Sequence, residues 1–256
     1  MKLNWSIQCS TEERLRNCPA ISLPYGKIHE LPPGLKCPKL KLLLLLSNDR
    51  SLTIPDTFFE GMKQLKVLDL TNIRFSTLPS SLNFLSNLQT LCLDKCELRD
   101  IANFGELKKL EVLSFASSDI EELPKEIGEL TRLKLLDLSD FYKLKVIPSN
   151  VNASLSQLED LYMKSRFVEW EIDGNVSLGE LKHLSHLVTL DIHIQDANIL
   201  PKDLRFEKLM RYRIFVGDAW HWYGVYETSR TLKLKLNTNI QQFRINMLLE
   251  RTEDLY

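Results

Sequence analysis

Residues 110–133 read LEVLSFASSDIEELPKEIGELTRL, and the chain restarts at once with LKLLDLSD. Leu110, Leu113 and Phe115 stand three and two apart, followed by Ser118, Ile120, Leu123-Pro124, Ile127, Leu130 and Leu133. The centre alternates apolar and polar, as in a strand with one buried face, so Leu113 and Phe115 are predicted inward and Ser114 and Ala116 outward. The Leu123-Pro124 step turns the chain away from that strand. Ile127, Leu130 and Leu133 then recur every three residues and return a second apolar edge to the same core. One such coil leaves both flanks wet. It is stable only when neighbours cover it, since each buried Leu or Ile contributes about 1.5–3 kcal/mol before entropy is subtracted.

The pattern is L-x-x-L-x-L-x-x-N/C-x-L, the leucine-rich repeat. Further copies start at Cys18, Leu40, Leu65, Leu88, Leu133, Leu158, Leu187 and, degenerately, Leu209. Asn48, Ile73, Cys96 and Phe141 occupy the Asn/Cys position. The intervals run from 22 to 29 residues, the range of such repeats. The predicted fold is α/β: a curved, horseshoe-like solenoid with a parallel sheet on the concave face and short helices and loops on the convex face. Residues 1–17 form an N-terminal flank, 18–216 about nine coils, and 217–256 a cap or a truncated continuation. The segments FFEGMKQL (58–65) and LGELKHLSHL (178–187) are predicted as short helices, residues 168–177 as an excursion, and MLLERTEDLY (247–256) as a helix.

Bulk properties exclude several classes. The 256 residues are 44% hydrophobic and 26% charged, with 9 Gly and 10 Pro, a globular composition. The net charge of -1 gives no field for nucleic acid or an anionic membrane. The beginning, MKLNWSIQCSTEERLRNC, lacks the apolar core of a signal peptide. The longest apolar run, Leu42–Leu46, is far too short to span a bilayer. Five cysteines without a clustered framework fit reduced thiols in the cytosol or nucleus, and a cytoplasmic location is expected. The Asn-x-Ser sequons at Asn4, Asn152 and Asn175 are read as chance matches.

Motifs for chemistry are missing from the sequence. Gly26-Lys27 has no upstream phosphate-loop glycine, and neither G-x-G-x-x-G nor G-x-S-x-G occurs. His183 and His186 form H-x-x-H without a second ligand pair, which reads as a solvated helix face. Cys92 is an outward thiol with no neighbouring base in the sequence. No catalytic residue, metal ligand or cofactor site is expected.

The surface expected to matter is the set of outward columns on the concave sheet. One column reads Leu44, Asp69, Cys92, Ser114, Asp137, Tyr162, Asp191, Arg213. The next reads Leu46, Thr71, Asp94, Ala116, Ser139, Lys164, His193, Phe215. Leu42, Leu44 and Leu46 together predict an apolar patch, the mark of a covered interface. The candidate partner-binding residues are Leu42, Leu44, Leu46, Asp69, Thr71, Cys92, Asp94, Ser114, Asp137, Tyr162, Lys164, Asp191, His193 and Arg213. The aromatic run Trp220, Trp222, Tyr223 and Tyr226 is expected to seal the last coil.

The wording of the repeats adds a resemblance. IPDTFFEGMKQLKVLDLT (54–71), LPSSLNFLSNLQTLCLDKCEL (78–98), IEELPKEIGELTRLKLLDLSD (120–140) and LLERTEDLY (248–256) resemble the leucine-rich repeat region of plant intracellular immune receptors of the coiled-coil class. That resemblance implies repeats that hold an adjoining nucleotide-binding domain in its ADP-bound state and that sense a pathogen effector or an altered host protein. ATP or ADP is then expected only in that domain, whose P-loop is not in this sequence. The resemblance places docking of that domain at Leu42, Leu44 and Leu46. The alternatives are a free-standing cytosolic repeat scaffold in signalling and, from a different class, an enzyme using the Cys92 thiol or the C-terminal segment.

Overall fold

In the computed structural model, the described residues are 12–24, 30–49, 51–75, 77–98, 104–164, 170–171, 174–201, 208–217, 229–234 and 249–255. Each predicted repeat contributes one strand. Ahead of them lies a short helix, α1 (Glu12–Asn17). The strands are β1 (Ala20–Pro24), β2 (Leu42–Leu46), β3 (Val67–Asp69), the two-residue β4 (Arg74–Phe75), β5 (Thr90–Cys92), the two-residue β6 (Glu97–Leu98) and β7 (Val112–Ser114) in the unit Met1–Ile120. The unit Glu121–Tyr256 holds β8 (Leu135–Asp137), β9 (Asp160–Met163), β10 (Thr189–Ile194), β11 (Arg211–Val216), β12 (Arg230–Leu234) and β13 (Asp254–Leu255). A helical turn, α2, spans Val151–Ser154.

All of these strands pair in parallel. In the first unit the order is β1-β2-β3-β5-β7, with Leu43 opposite Leu68, Leu68 opposite Leu91 and Leu91 opposite Leu113. In the second, β8 to β13 follow chain order, with Leu136 opposite Leu161, Leu161 opposite Leu190 and Leu190 opposite Tyr212. The inward pairs are buried throughout: Leu43/Leu45, Leu68/Leu70, Leu91/Leu93 and Leu113/Phe115, then Leu136/Leu138, Leu161/Met163, Leu190/Ile192 and Tyr212/Ile214. This is the leucine-rich repeat architecture, and the inward positions of the period-two reading are buried in each of these strands.

Two turns recur with the sheet. After β3, β5, β7 and β8 the chain passes through left-handed backbone at Asn72, Lys95, Ser117 and Asp140, with φ of 64°, 56°, 59° and 57°. Asn and Asp tolerate this region best; Lys and Ser occupy it because the ladder on either side fixes them. Each coil then closes on a four-residue turn whose two apolar ends are buried. Leu65 N–H donates to Met62, Leu88 to Leu85, Leu110 to Leu107, Leu133 to Leu130 and Leu158 to Leu155, all at 2.9 Å. A period of three suits 3₁₀ geometry. Ser80–Phe84, Lys125–Glu129 and Leu178–His183 are accordingly 3₁₀ helices, not α-helices.

Two of the turn residues at the Asn/Cys position, Ser118 and Cys96, satisfy backbone between coils. The Ser118 hydroxyl donates to Leu93 O and accepts from Cys96 N–H, and the Cys96 thiol donates to Leu70 O at 3.1 Å. Asn48 departs from this role. It is exposed while Ser47 is buried, because Asn72, one residue ahead of Ile73, reaches back to Ser47 O.

Two helix predictions are corrected. Residues 58–65 form successive isolated turns, Phe58 to Pro55, Glu60 to Thr57 and Met62 to Phe59. Gly61 sits there where any Cβ would strike the Leu35 carbonyl. In the described part of the tail Leu249 is helical, Thr252 N–H donates to Leu249 O, and β13 follows, pairing Asp254 with Thr231 and Leu255 with Leu232; residues 247, 248 and 256 lie outside the described residues. A ladder partner outweighs helix propensity in so short a segment. Residues 168, 169, 172 and 173 of the predicted excursion and the aromatic run Trp220–Tyr226 lie outside the described residues. So does Leu236.

Candidate interaction surface

The outward columns are in register within each unit. In the first, Ser22, Leu44, Asp69, Cys92 and Ser114 face one another across successive strands, flanked by Leu42, Val67, Thr90 and Val112. Leu42, Leu44 and Leu46 are half-buried and alternate with buried Leu43 and Leu45, so strand pleating sets an apolar strip along β2.

The acidic residues of this unit's columns are fastened to the main chain. Asp69 accepts from Thr71 N–H at 3.0 Å and from its hydroxyl at 2.6 Å. Asp94 accepts from the Ser114 hydroxyl and, at 3.0 Å, from Ala116 N–H. Asp137, in the second unit, does likewise with Ser139 N–H at 2.8 Å. Side chains of this kind replace backbone acceptors where a strand ends. Ser114 is itself buried. These residues therefore shape strand ends, a role the D-L-T and D-L-S steps signal in the sequence.

Cys92 is half-buried between Asp69 and Ser114 in its column. Burial pushes the thiol of Cys96 up to about 12 and that of Cys37 up to about 11, with Cys18 adding to the latter. A thiolate, the reactive form, is suppressed at both. Exposed His186 places Nδ1 3.0 Å from Ser156 O, and no group of metal-ligating side chains forms among the described residues.

In the second unit Asp137, Tyr162, Asp191, Arg213 and Thr231 share one column, and Leu135, Asp160, Thr189 and Arg211 the next. Here the sequence expectation needs correction. Asp191 and His193 lie in their columns but are 2% and 9% exposed, so neither is an open contact residue. β10 is buried on both faces. A carboxylate so enclosed requires a counter-charge, and the Arg213 guanidinium lies 2.6 Å from it. His193 places Nε2 3.0 Å from Gly217 O and packs edge-on against Phe215, over which Lys233 lies at 5.3 Å. Half-buried Lys164 follows β9, its carbonyl accepting from Asp140 N–H at 3.1 Å.

A cleft of about 240 Å³ opens among Tyr162, Thr189, Asp191, Arg211, Arg213 and Ser229. Arg211 crosses two strands, donating to Thr189 Oγ1 at 2.9 Å and to Asp160 at 3.1 Å. Burial pushes the Tyr162 hydroxyl above the ordinary tyrosine range, and Asp160 adds to the effect. Arg211, Thr189 and Asp160 were outside the sequence's candidates, because a contact over 51 residues leaves no local signature.

Asn152 is buried, and the Asn175 amide is used on both sides. Its oxygen accepts from Ile147 N–H and its nitrogen donates to Lys145 O, each at 2.8 Å. Neither presents an amide for a glycan in this fold. Asn4 lies outside the described residues.

Strands, closing turns and columns together define a repeat scaffold for protein–protein contact. The profile of the family described as Leucine-rich repeat region matches residues 92–253, and the chain belongs to that family. It is 30% identical over 246 residues to disease resistance protein At4g27190 of Arabidopsis thaliana, covering 92% of this chain and 25% of the relative. It is 32% identical over 198 residues to the probable disease resistance protein At4g27220 of the same plant, covering 75% of this chain and 21% of that one. The chain thus spans about a quarter of the length of these relatives. Among solved structures, an internalin C2 from Listeria monocytogenes superposes with a TM-score of 0.60 at 18% identity, over 79% of this chain and 83% of that one. No helix among the described residues is long and apolar enough to cross a membrane.

Proposed function

We propose that this chain is the sensor and autoinhibitory repeat region of a plant disease resistance receptor. Its outward columns recognise a pathogen effector or a modified host protein. The half-buried leucines of β2 receive a nucleotide-binding domain in the cytoplasm. ATP and ADP belong to that domain; the repeats carry no cofactor of their own and act by binding, not by catalysis. The observation that carries this reading is the match to a disease resistance protein along 92% of the chain. The apolar strip Leu42, Leu44 and Leu46 supports the docking position, since an apolar strip on a sheet face gains by being covered.

The test is co-purification of the 256-residue chain with the nucleotide-binding domain of At4g27190, wild type against Leu44→Glu. Loss of binding by a folded Leu44→Glu chain is the expected result. Equal binding by both sinks the docking reading and favours a free-standing scaffold.

A further inference from the structure

We infer that Cys18 and Cys37 form a redox-sensitive pair, a dithiol under reducing conditions and an intramolecular disulfide under oxidising ones, which staples the turn entering β1 to the turn entering β2. The pairing follows from the closing turns. Cys18 N–H donates to Leu15 O at 3.2 Å and Leu40 N–H to Cys37 O at 3.1 Å, so residues 15–18 and 37–40 are the same turn in successive coils. Contacts on either side of Cys18 stack these turns: Lys39 Nζ donates to Asn17 Oδ1 and Lys41 N–H to Pro19 O, each at 2.8 Å. Cys18 therefore stands beside Leu40 and Leu15 beside Cys37, with the two cysteines on the diagonal of a block of four. In later coils both ends of this turn are apolar and buried, as in Met62/Leu65 and Leu85/Leu88. Here each turn carries a thiol at one end. The two thiols also act on each other, since Cys18 adds to the rise that burial imposes on Cys37.

Their surroundings assign the order of attack. Cys18 is half-buried and its thiol donates to Ala20 O at 3.0 Å, whereas Cys37 is fully buried. A dissolved disulfide such as oxidised glutathione reaches Cys18 and not Cys37. The Cys18 thiolate, its proton lost to solvent, attacks one glutathione sulfur; a protein–glutathione S–S bond forms and the first glutathione leaves as thiolate. Cys37 then gives up its proton and attacks the Cys18 sulfur, and the second glutathione leaves. Two protein thiols are oxidised, and one glutathione disulfide is reduced to two glutathione thiols. A compartment kept reduced by glutathione holds the pair open. Once closed, the link removes loop-closure freedom between the two turns. It also fixes β1 on β2, the strand that bears Leu42, Leu44 and Leu46. Cys92 and Cys96 belong to the coil of β5, two strands beyond β2, and do not compete.

The test is peptide mapping by mass spectrometry on the full 256-residue chain, equilibrated in glutathione buffers of rising oxidised fraction and quenched with iodoacetamide in urea. A peptide pair joined through Cys18 and Cys37, lighter than the dithiol by the two hydrogens lost, is expected, with Cys92 and Cys96 alkylated. Hydrogen exchange at the Lys41 and Leu42 amides, which donate to Pro19 O, is expected to slow about tenfold or more in the linked chain. Cys18→Ser, a change at the half-buried position, is expected to abolish the link and to leave Cys37 unmodified by glutathione. The inference is overturned if Cys18 stops at its glutathione adduct with Cys37 still a thiol, or if either cysteine links elsewhere. It is equally overturned if exchange at Lys41 and Leu42 is unchanged by the link, or if Cys37 of folded Cys18→Ser takes up glutathione. The Leu44→Glu experiment reads a different contact, so each result stands without the other.

Discussion

Asp69 in the first unit and Asp191 in the second hold the same place in their coils, one residue between the two inward apolar positions. Asp69 is half-buried and fastens Thr71, two residues away. Asp191 is enclosed and faces Arg213 on the next strand. In Met1–Ile120 the column acids accept from strand ends, Asp69 from its own and Asp94 from that of the next coil, and the apolar strip of β2 is the open feature. In Glu121–Tyr256 side chains act across strands: Arg211 on Asp160, Arg213 on Asp191, Asn175 on residues 145 and 147. One repeat grammar thus yields a face whose carboxylates cap strand ends and a face where guanidiniums also pair with carboxylates of other strands.

That contrast can be broken most sharply at Arg213. Arg213→Met leaves a buried carboxylate without its counter-ion and is expected to cost about 3–5 kcal/mol in denaturant unfolding. Asp69→Asn keeps an acceptor and is expected to cost under about 1 kcal/mol. Equal costs would erase the distinction. Leu113→Ala, an inward site in the first unit, should cost about 2–5 kcal/mol. The outward Leu44→Glu should stay under about 1 kcal/mol in the same measurement. Asn175→Ala strands the Ile147 N–H and the Lys145 carbonyl and should cost about 1–3 kcal/mol. Thr71→Val, which removes the hydroxyl from a short-range contact, should cost about 0.5–1.5 kcal/mol.

The finest probe is Asp56, a cross-coil contact within the first unit. The Ser80 hydroxyl donates to Asp56 at 2.5 Å and the Ser80 N–H at 2.6 Å, and these bonds hold the carboxyl below its ordinary range. A lowered folded-state value means that the contribution is complete above the unfolded carboxylate range and is lost as pH falls through the lowered value. Carbon-detected NMR should find Asp56 titrating below an ordinary aspartate, and Ser80→Ala should return it towards the ordinary value. An unchanged titration would show the bond to be absent in solution.

What the sequence made legible is what recurs. Leu113 and Phe115, the intervals between coils and the columns themselves follow from period-two strands repeated along the chain. The helix assigned to 58–65 failed because an apolar spacing of three also describes successive turns, and Gly61 faces backbone 26 residues earlier. The open character assigned to Asp191 and His193 failed for a related reason. Burial of an outward residue depends on neighbouring strands 22 to 29 residues away, and repeat phase carries no information about their side chains. The pair Arg211–Asp160 lies further still beyond any local window.

The left-handed residues after the strands have a consequence for how such a chain changes length. Seven positions separate Leu65 from Asn72, Leu88 from Lys95, Leu110 from Ser117 and Leu133 from Asp140. From those residues to the next coil's start the count varies: 16, 15, 16 and 18. The strand and its exit are a fixed gauge, and the remainder of each coil is the slack. Residues inserted or deleted in the slack leave the alignment of the columns untouched. Loops on one side can therefore be rewritten in length while the binding face on the other keeps its spacing.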